Sequence, residues 1–149
     1  MKESLGTLVE NLAKDGKGEF PTLTSYYGDE QQIQLLLRKG VYPYDYMDHE
    51  CRFEETSLSP SDAFCNKLTD SHISDDDYQH AQKVWKTFNM NALADYHDLY
   101  LQSDIMLLTD IFENFGNTCM TSYSLDPAHY YTVSGLSWDA MLKKTGANL

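Results

Sequence analysis

The sequence has few basic residues and no long apolar run. Its 11 Lys and Arg residues stand against 23 Asp and Glu residues, which gives a formal net charge of -12. A protein that binds nucleic acid by itself normally presents a basic face, so this balance argues against unaided DNA binding. Because no apolar run approaches about 18 residues, we expect neither a membrane span nor a signal peptide.

Cysteine is also scarce. The three cysteines are Cys51, Cys65 and Cys119, and they form no Cys-x-x-Cys pair. An odd number argues against a disulfide framework and favours a reducing, intracellular compartment. A nuclear location is compatible with the sequence but is not indicated by it. The length of 149 residues and the hydrophobic content of 42% fit one domain with a modest core.

The spacing of apolar residues predicts a mainly helical chain with few strands. Helices are expected at residues 4–13, 29–37, 75–88 and about 94–120. Between the second and third lies RKGVYPYDYMD, residues 38–48, in which Gly40 and Pro43 exclude a helix interior. We expect this segment to be extended and packed by its tyrosines.

Two shorter helices have recognisable starts. Ser59 is expected as the N-cap of a helix that buries Phe64 and Leu68. Ser137 is expected as the N-cap of a last helix that stops at Gly146 and packs through Trp138, Met141 and Leu142.

The helix at about 94–120 carries an apolar stripe with alternating spacings of four and three residues. The stripe consists of Leu101, Ile105, Leu108, Phe112, Phe115 and Cys119. This spacing is typical of a helix face that packs on a core. We expect it to face the stripe of the preceding helix that contains Tyr78, Trp85 and Phe88. Asp98, Asp110 and Glu113 are expected on the opposite side, toward solvent.

Asp104 differs from these acids because it falls on the apolar side of the same helix, one turn after Tyr100. An unpaired buried carboxylate is costly, or else it becomes protonated, so it normally has a partner. One interpretation is structural, in which Asp104 caps a loop or pairs with an Arg or Lys. The other is a functional site. The helical wheel leaves both open.

Four stretches of the chain resemble the protein-primed family B DNA polymerases of viruses and self-synthesising DNA transposons. They are LLLRKGVYPYDYMD, ISDDDYQHAQKVWKTF, DYHDLYLQSDIMLLTDIFENF and LDPAHYYTVSGLSWDAMLKKTG. In that family a helix with Tyr-x-x-x-Asp forms the third motif of the 3'-5' proofreading exonuclease, and YLQSD, from Tyr100 to Asp104, occupies the matching place. The resemblance implies that Asp104 is a ligand of Mg2+ or Mn2+ and that Tyr100 orients the attacking water or the scissile phosphate.

Other motifs of that family are missing from this sequence. The Asp-x-Glu strand motif and the second acid belong upstream, and the two palm signatures belong downstream. Asp48-His49-Glu50 has the letters of the first motif but lies in the wrong part of the order, so we treat it as coincidence. The resemblance therefore implies a mainly α fragment of an α/β ribonuclease-H-like exonuclease domain whose central strands are largely missing. Residues 1–122 would be the C-terminal part of that domain, and residues 123–149 a connector toward an absent palm.

Two functions are expected from these observations. The first is a fragment of a DNA-directed DNA polymerase with a proofreading exonuclease. The parent enzyme would use DNA, dNTP and Mg2+ or Mn2+, whereas the fragment is expected to be inactive, to bind no cofactor and to bind DNA weakly or not at all. The alternative is a non-enzymatic, domesticated remnant that acts as an acidic helical protein-interaction module. Either one would expose apolar surface that a protein partner could cover.

Overall fold

The computed structural model describes residues 4–14, 20–65 and 72–147. Six α-helices lie within them: α1 (Leu5–Lys14), α2 (Pro21–Tyr26), α3 (Glu30–Leu36), α4 (Asp75–Thr87), α5 (Leu93–Tyr123) and α6 (Val133–Thr145). Short 3-10 turns cover Glu50–Glu54, Ser61–Phe64 and Pro127–His129. No strand occurs in this part of the chain, which confirms the prediction of a mainly helical protein. None of the described helices is long and apolar enough to span a membrane.

The starts of α3 and α4 lie where the sequence predicts them. The Asp29 carboxylate accepts a hydrogen bond from the Gln31 backbone N–H at 3.0 Å and begins α3. The Ser74 hydroxyl accepts one from the Asp77 N–H at 3.2 Å and begins α4. These caps satisfy N–H groups that have no partner inside the helix. At the other end of the chain, α6 stops at Gly146, whose φ of 68° a glycine adopts without strain.

The two shorter helices were predicted less well. Ser59 caps no helix: its side chain is buried, its hydroxyl has no partner among the described residues, and only a 3-10 turn follows. Phe64 is buried as expected, while Leu68 lies outside the described residues. The last helix begins earlier than predicted, because Thr132 rather than Ser137 is its N-cap.

The packing face predicted for that last helix is wrong for two of its three residues. Trp138 and Met141 are exposed, Leu142 is partly buried, and α6 buries Leu136 and Ala140. These two side chains form a small cluster with Cys119 and Leu125, where the C-terminal part of α5 meets α6.

The main core surrounds the N-terminal two thirds of α5. Helices α1 to α4 contribute apolar side chains from several short segments, and α5 adds a continuous face. The buried members are Val9, Phe20, Leu23, Tyr27, Leu35, Leu36, Ala81, Val84, Leu93, Tyr96, Leu99 and Leu107. Since most of these side chains meet on one side of α5, that helix forms the centre of the fold.

The predicted orientation of α5 is wrong. Five of the six stripe residues, Leu101, Ile105, Leu108, Phe112 and Phe115, are 44–57% exposed, and only Cys119 is buried. They therefore do not pack against Tyr78, Trp85 and Phe88. The buried face of α5 includes Ser103, Leu107 and Asp110 instead. The helix has two apolar faces, and the more regular one lies in solvent.

Asp110 explains this orientation. It was expected in solvent but is only 2% exposed. Its two carboxylate oxygens accept hydrogen bonds from the backbone N–H groups of Thr22, at 2.9 Å, and Leu23, at 3.2 Å, in the first turn of α2. Phe20, the residue before α2, provides no capping side chain. Asp110 therefore supplies from a distant helix the anion that the N-terminus of α2 lacks.

We expect Asp110→Ala to lower the free energy of unfolding by about 1–3 kcal/mol, because two N–H groups in the first turn of α2, one of them buried, would lose their acceptor. Urea denaturation followed by circular dichroism measures this loss. Glu113→Ala is the matched control, since it removes an exposed acid from the same helix, and it should change stability by less than about 0.5 kcal/mol. Equal effects of the two substitutions would contradict the capping role.

Candidate functional site

Tyr100 and Asp104 lie at the edge of α5, between its buried face and its exposed stripe. Both side chains are partly buried. They are one helical turn apart, so they project from the same edge of the helix. The edge position accounts for Asp104 being neither in the core nor fully in water.

The segment of residues 38–48 wraps around the Tyr100 ring. A Cβ atom on Gly40 would come within 3.3 Å of that ring, so glycine permits the close approach of the backbone. On another side the Tyr42 ring stacks on Tyr100, with centroids 4.9 Å apart and planes inclined by 28°. The Tyr44 hydroxyl is 2.7 Å from the Tyr100 hydroxyl. Three residues of one segment thus hold Tyr100 in place.

Further hydrogen bonds fix this segment to α5. The Tyr96 hydroxyl donates to the carbonyl of Val41 at 2.6 Å. The Tyr42 hydroxyl lies 2.7 Å from Nδ1 of His97. Contacts at positions 96, 97 and 100 of α5 therefore tie down residues 40–44. The segment contains no helix, as predicted, but it turns at residues 44–46 and is not extended throughout. Its packing by tyrosines agrees with the prediction, and the segment forms the wall of the site.

Burial dominates the electrostatics of both candidate residues. It raises the pKa of Tyr100 far above its ordinary value, and the hydrogen bond with Tyr44 and the negative charge of Asp104 act in the same direction. Burial also raises the pKa of Asp104, while a hydrogen bond from Tyr100 and the positive charge of Lys39 lower it in part. Tyr100 is therefore a hydrogen-bond donor at neutral pH, and the Asp104 carboxylate is incompletely compensated.

A cleft of about 740 Å3 opens on the Tyr100 side of this edge. Lys39, Tyr42 and Tyr44 line it together with Tyr100. Its far wall includes Asp77, whose pKa is lowered by the Ser74 hydroxyl and, to a smaller extent, by Arg38. The cleft combines aromatic rings with one lysine and with the carboxylates of Asp45 and Asp77, while Asp104 is not part of its lining.

The described residues provide an incomplete set of metal ligands. Among them, no three His, Cys, Asp or Glu side chains come together in a way that could hold an ion. Asp104 offers one carboxylate, whereas Mg2+ in proteins takes six oxygen ligands, of which waters and substrate phosphates supply several. Asp48 and Glu50 are exposed and belong to no such group.

Sequence reasoning missed three contributors to this site. Gly40 contacts Tyr100 through its backbone, Tyr44 holds the Tyr100 hydroxyl, and Lys39 supplies the nearby positive charge. The alternation of tyrosines with other residues in the segment was a signal for Tyr44. Nothing local in the sequence indicates the contact with Gly40.

No protein-family model, curated protein or solved structure matches this chain.

We expect Asp104→Asn to maintain or raise the stability of the protein at neutral pH. The pKa of Asp104 is raised in the folded state, so folded protein keeps a proton that unfolded protein releases near the ordinary pKa of 3.8. Stability consequently falls as pH rises through the interval between the unfolded and the folded pKa. Asparagine has no charge to desolvate, so the gain should be largest at neutral pH, should shrink as pH falls through that same interval, and should be nearly absent below 3.8.

Thermal unfolding between acid and neutral pH tests this expectation. Asp98→Asn is the control, because it removes one negative charge from an exposed position of the same helix and corrects for reduced net repulsion. The opposite result, a loss of about 3–5 kcal/mol in Asp104→Asn at neutral pH, would mark Asp104 as the essential partner of a buried cation.

Proposed function

We propose that this chain is part of a DNA-directed DNA polymerase of the protein-primed family B type, from the region of its 3'-5' exonuclease. The observation that carries the proposal is the pair Tyr100 and Asp104. The partly buried Asp104 carboxylate follows Tyr100 by one helical turn, Tyr100 helps to lower the raised pKa of Asp104, and a tyrosine-rich segment holds the Tyr100 ring. This arrangement supports the assignment of YLQSD as the third exonuclease motif.

The chemistry expected of such a site needs more than this pair. Two divalent ions about 4 Å apart activate water and stabilise the leaving oxygen in hydrolysis of a phosphodiester. The described residues do not fit a complete site of this kind, since no three of their His, Cys, Asp or Glu side chains come together in a way that could hold an ion. In the proposed whole enzyme Asp104 would be one ligand of Mg2+ or Mn2+, and Tyr100 would donate a hydrogen bond to the water or the phosphate.

The second apolar face of α5 supports the idea of a larger domain. Its spacing is that of a helix that packs on another layer, yet its large side chains lie in solvent. A ribonuclease-H-like domain that places its strands against this face would account for it. Residues 1–122 would then belong to that domain, and residues 123–149 would lead toward the palm.

We expect the 149-residue chain to show no polymerase activity and no exonuclease activity with Mg2+ or Mn2+. One carboxylate cannot hold two ions, and the palm signatures are absent from the sequence. Release of labelled nucleotide from single-stranded DNA is the measurement, with Asp104→Ala as its control. Metal-dependent release that disappears in Asp104→Ala would overturn this expectation.

A longer protein that carries these residues together with the missing acids should have exonuclease activity, so it permits a test of whether Asp104 is needed for that activity. There Asp104→Ala should lower the exonuclease rate by at least about 100-fold while chain extension and melting temperature stay close to those of the parent. Tyr100→Phe should lower the rate by less, because it deletes one hydroxyl and keeps the ring. A proportionate loss of both activities and of thermal stability would assign Asp104 a structural role instead.

A second candidate function is an acidic helical module that binds another protein. The exposed stripe of α5 favours it, because exposed apolar surface of this kind marks interaction sites. The coding sequence on either side separates the two candidates. An open frame that encodes the missing acids and palm motifs would exclude the domesticated remnant, whereas stop codons or unrelated sequence would exclude the polymerase fragment.

A further inference from the structure

The exposed apolar surface of α5 consists of Leu101, Ile105, Leu108, Phe112 and Phe115, which we call the α5 stripe. Each of these side chains is 44–57% exposed. From its first to its last residue the stripe is about 21 Å long, at 1.5 Å per residue. It is therefore long enough to contact about four turns of another helix.

The spacing of the α5 stripe suits a helical partner. Its residues follow one another at intervals of four, three, four and three, an average of 3.5 residues. This is the repeat by which the apolar seam of one helix stays in contact with the seam of another. An extended strand, whose side chains repeat every second residue, would match it less well.

The negative charge of α5 indicates that the partner helix is positively charged. The helix has 31 residues and contains no Lys or Arg, but it contains Asp95, Asp98, Asp104, Asp110 and Glu113. At 100° per residue, Asp98 lies about 60° to one side of the stripe axis and Asp104 about 60° to the other. The whole chain has a net charge of -12, so a second copy would bring like charge against like.

We propose that the α5 stripe docks an amphipathic helix of another protein whose apolar face is flanked by Lys and Arg residues. The proposal rests on the second candidate function, the interaction module, and it does not require a nuclease site. Basic residues beside the partner's apolar face would meet Asp98 at one side and Asp104 at the other.

A groove at the C-terminal end of the stripe extends this surface. Phe115, the last stripe residue, also lines a groove of about 380 Å3 between α5 and α6. Val133 and Met141 form part of its opposite wall, and both are exposed. A large apolar side chain near one end of the docked helix would insert into this groove, as anchor residues do in helix-in-groove complexes.

The test uses a fluorescein-labelled peptide of roughly 20 residues, long enough to cover the stripe. It has Leu at heptad spacing with Lys at the flanking positions, and fluorescence anisotropy reports its binding. We expect saturable binding that weakens at higher salt and that Leu108→Asp reduces by at least about tenfold. Asp98→Lys should also weaken it. Tyr131→Asp alters a fully exposed residue outside α5 and should leave binding unchanged.

Two further peptides test whether binding depends on the order of the residues and on the positive charge of the peptide. A Lys-rich peptide with the same composition in scrambled order should bind weakly, and equal binding would mean attraction of charge without docking. A peptide with Glu in place of Lys should also bind weakly. If it binds as well and Leu108→Asp abolishes that binding, the stripe is an interaction surface but the cationic partner is wrong.

Self-association is the remaining outcome. Sedimentation of the folded chain that shows a dimer lost in Leu108→Asp would replace the basic helix with a second copy. If folded wild-type protein binds no peptide and stays monomeric, both the cationic partner and the interaction module are excluded.

Discussion

The carboxylate of Asp110 determines how α5 is rotated, and the rest of the structure depends on that rotation. α2 has six residues and no capping side chain of its own, so it depends on tertiary contacts for stability. By accepting hydrogen bonds from Thr22 and Leu23, Asp110 binds the N-terminus of α2 to the middle of α5. The face that includes Leu107 and Ser103 is then turned inward with it. The more regular apolar face is left outside.

The candidate site is a consequence of the same rotation. With Asp110 inward, Tyr100 and Asp104 come to the edge of the core, where burial shifts the pKa of both side chains without removing them from solvent. Tyr100 also meets Gly40 there, so the backbone of the tyrosine-rich segment lies against its ring. The two proposed functions use neighbouring parts of one helix. The nuclease assignment concerns its edge. Its exposed face would be covered by strands of the same domain under the first function and by a helix of another protein under the second.

The sequence predicted those features that local residues determine. Asp29 and Ser74 cap the helices that they precede, and Gly146 ends the last one, because each acts on backbone groups within a few residues. The orientation of α5 could not be read from periodicity, since both of its faces are apolar and the deciding partner is 88 residues away. Phe20 before Pro21 was the available signal: a helix start without a capping side chain needs an acceptor from elsewhere. For the site, the alternating tyrosines indicated packing against something, but not that Tyr100 was the ring they enclose.

Because α5 is long, it passes through two regions of the molecule that unfold locally at different free energies. Its first two thirds belong to a core of a dozen buried side chains. Its last part belongs to a smaller cluster with α6, in which Cys119, Leu125, Leu136 and Ala140 are the buried members among the described residues. So few buried contacts hold the second region that it opens at a lower free energy than the first. Amide hydrogens within one continuous helix would then exchange with solvent on two timescales. The slower set would belong to the turns around Asp110, and the faster set to the turns that carry Cys119.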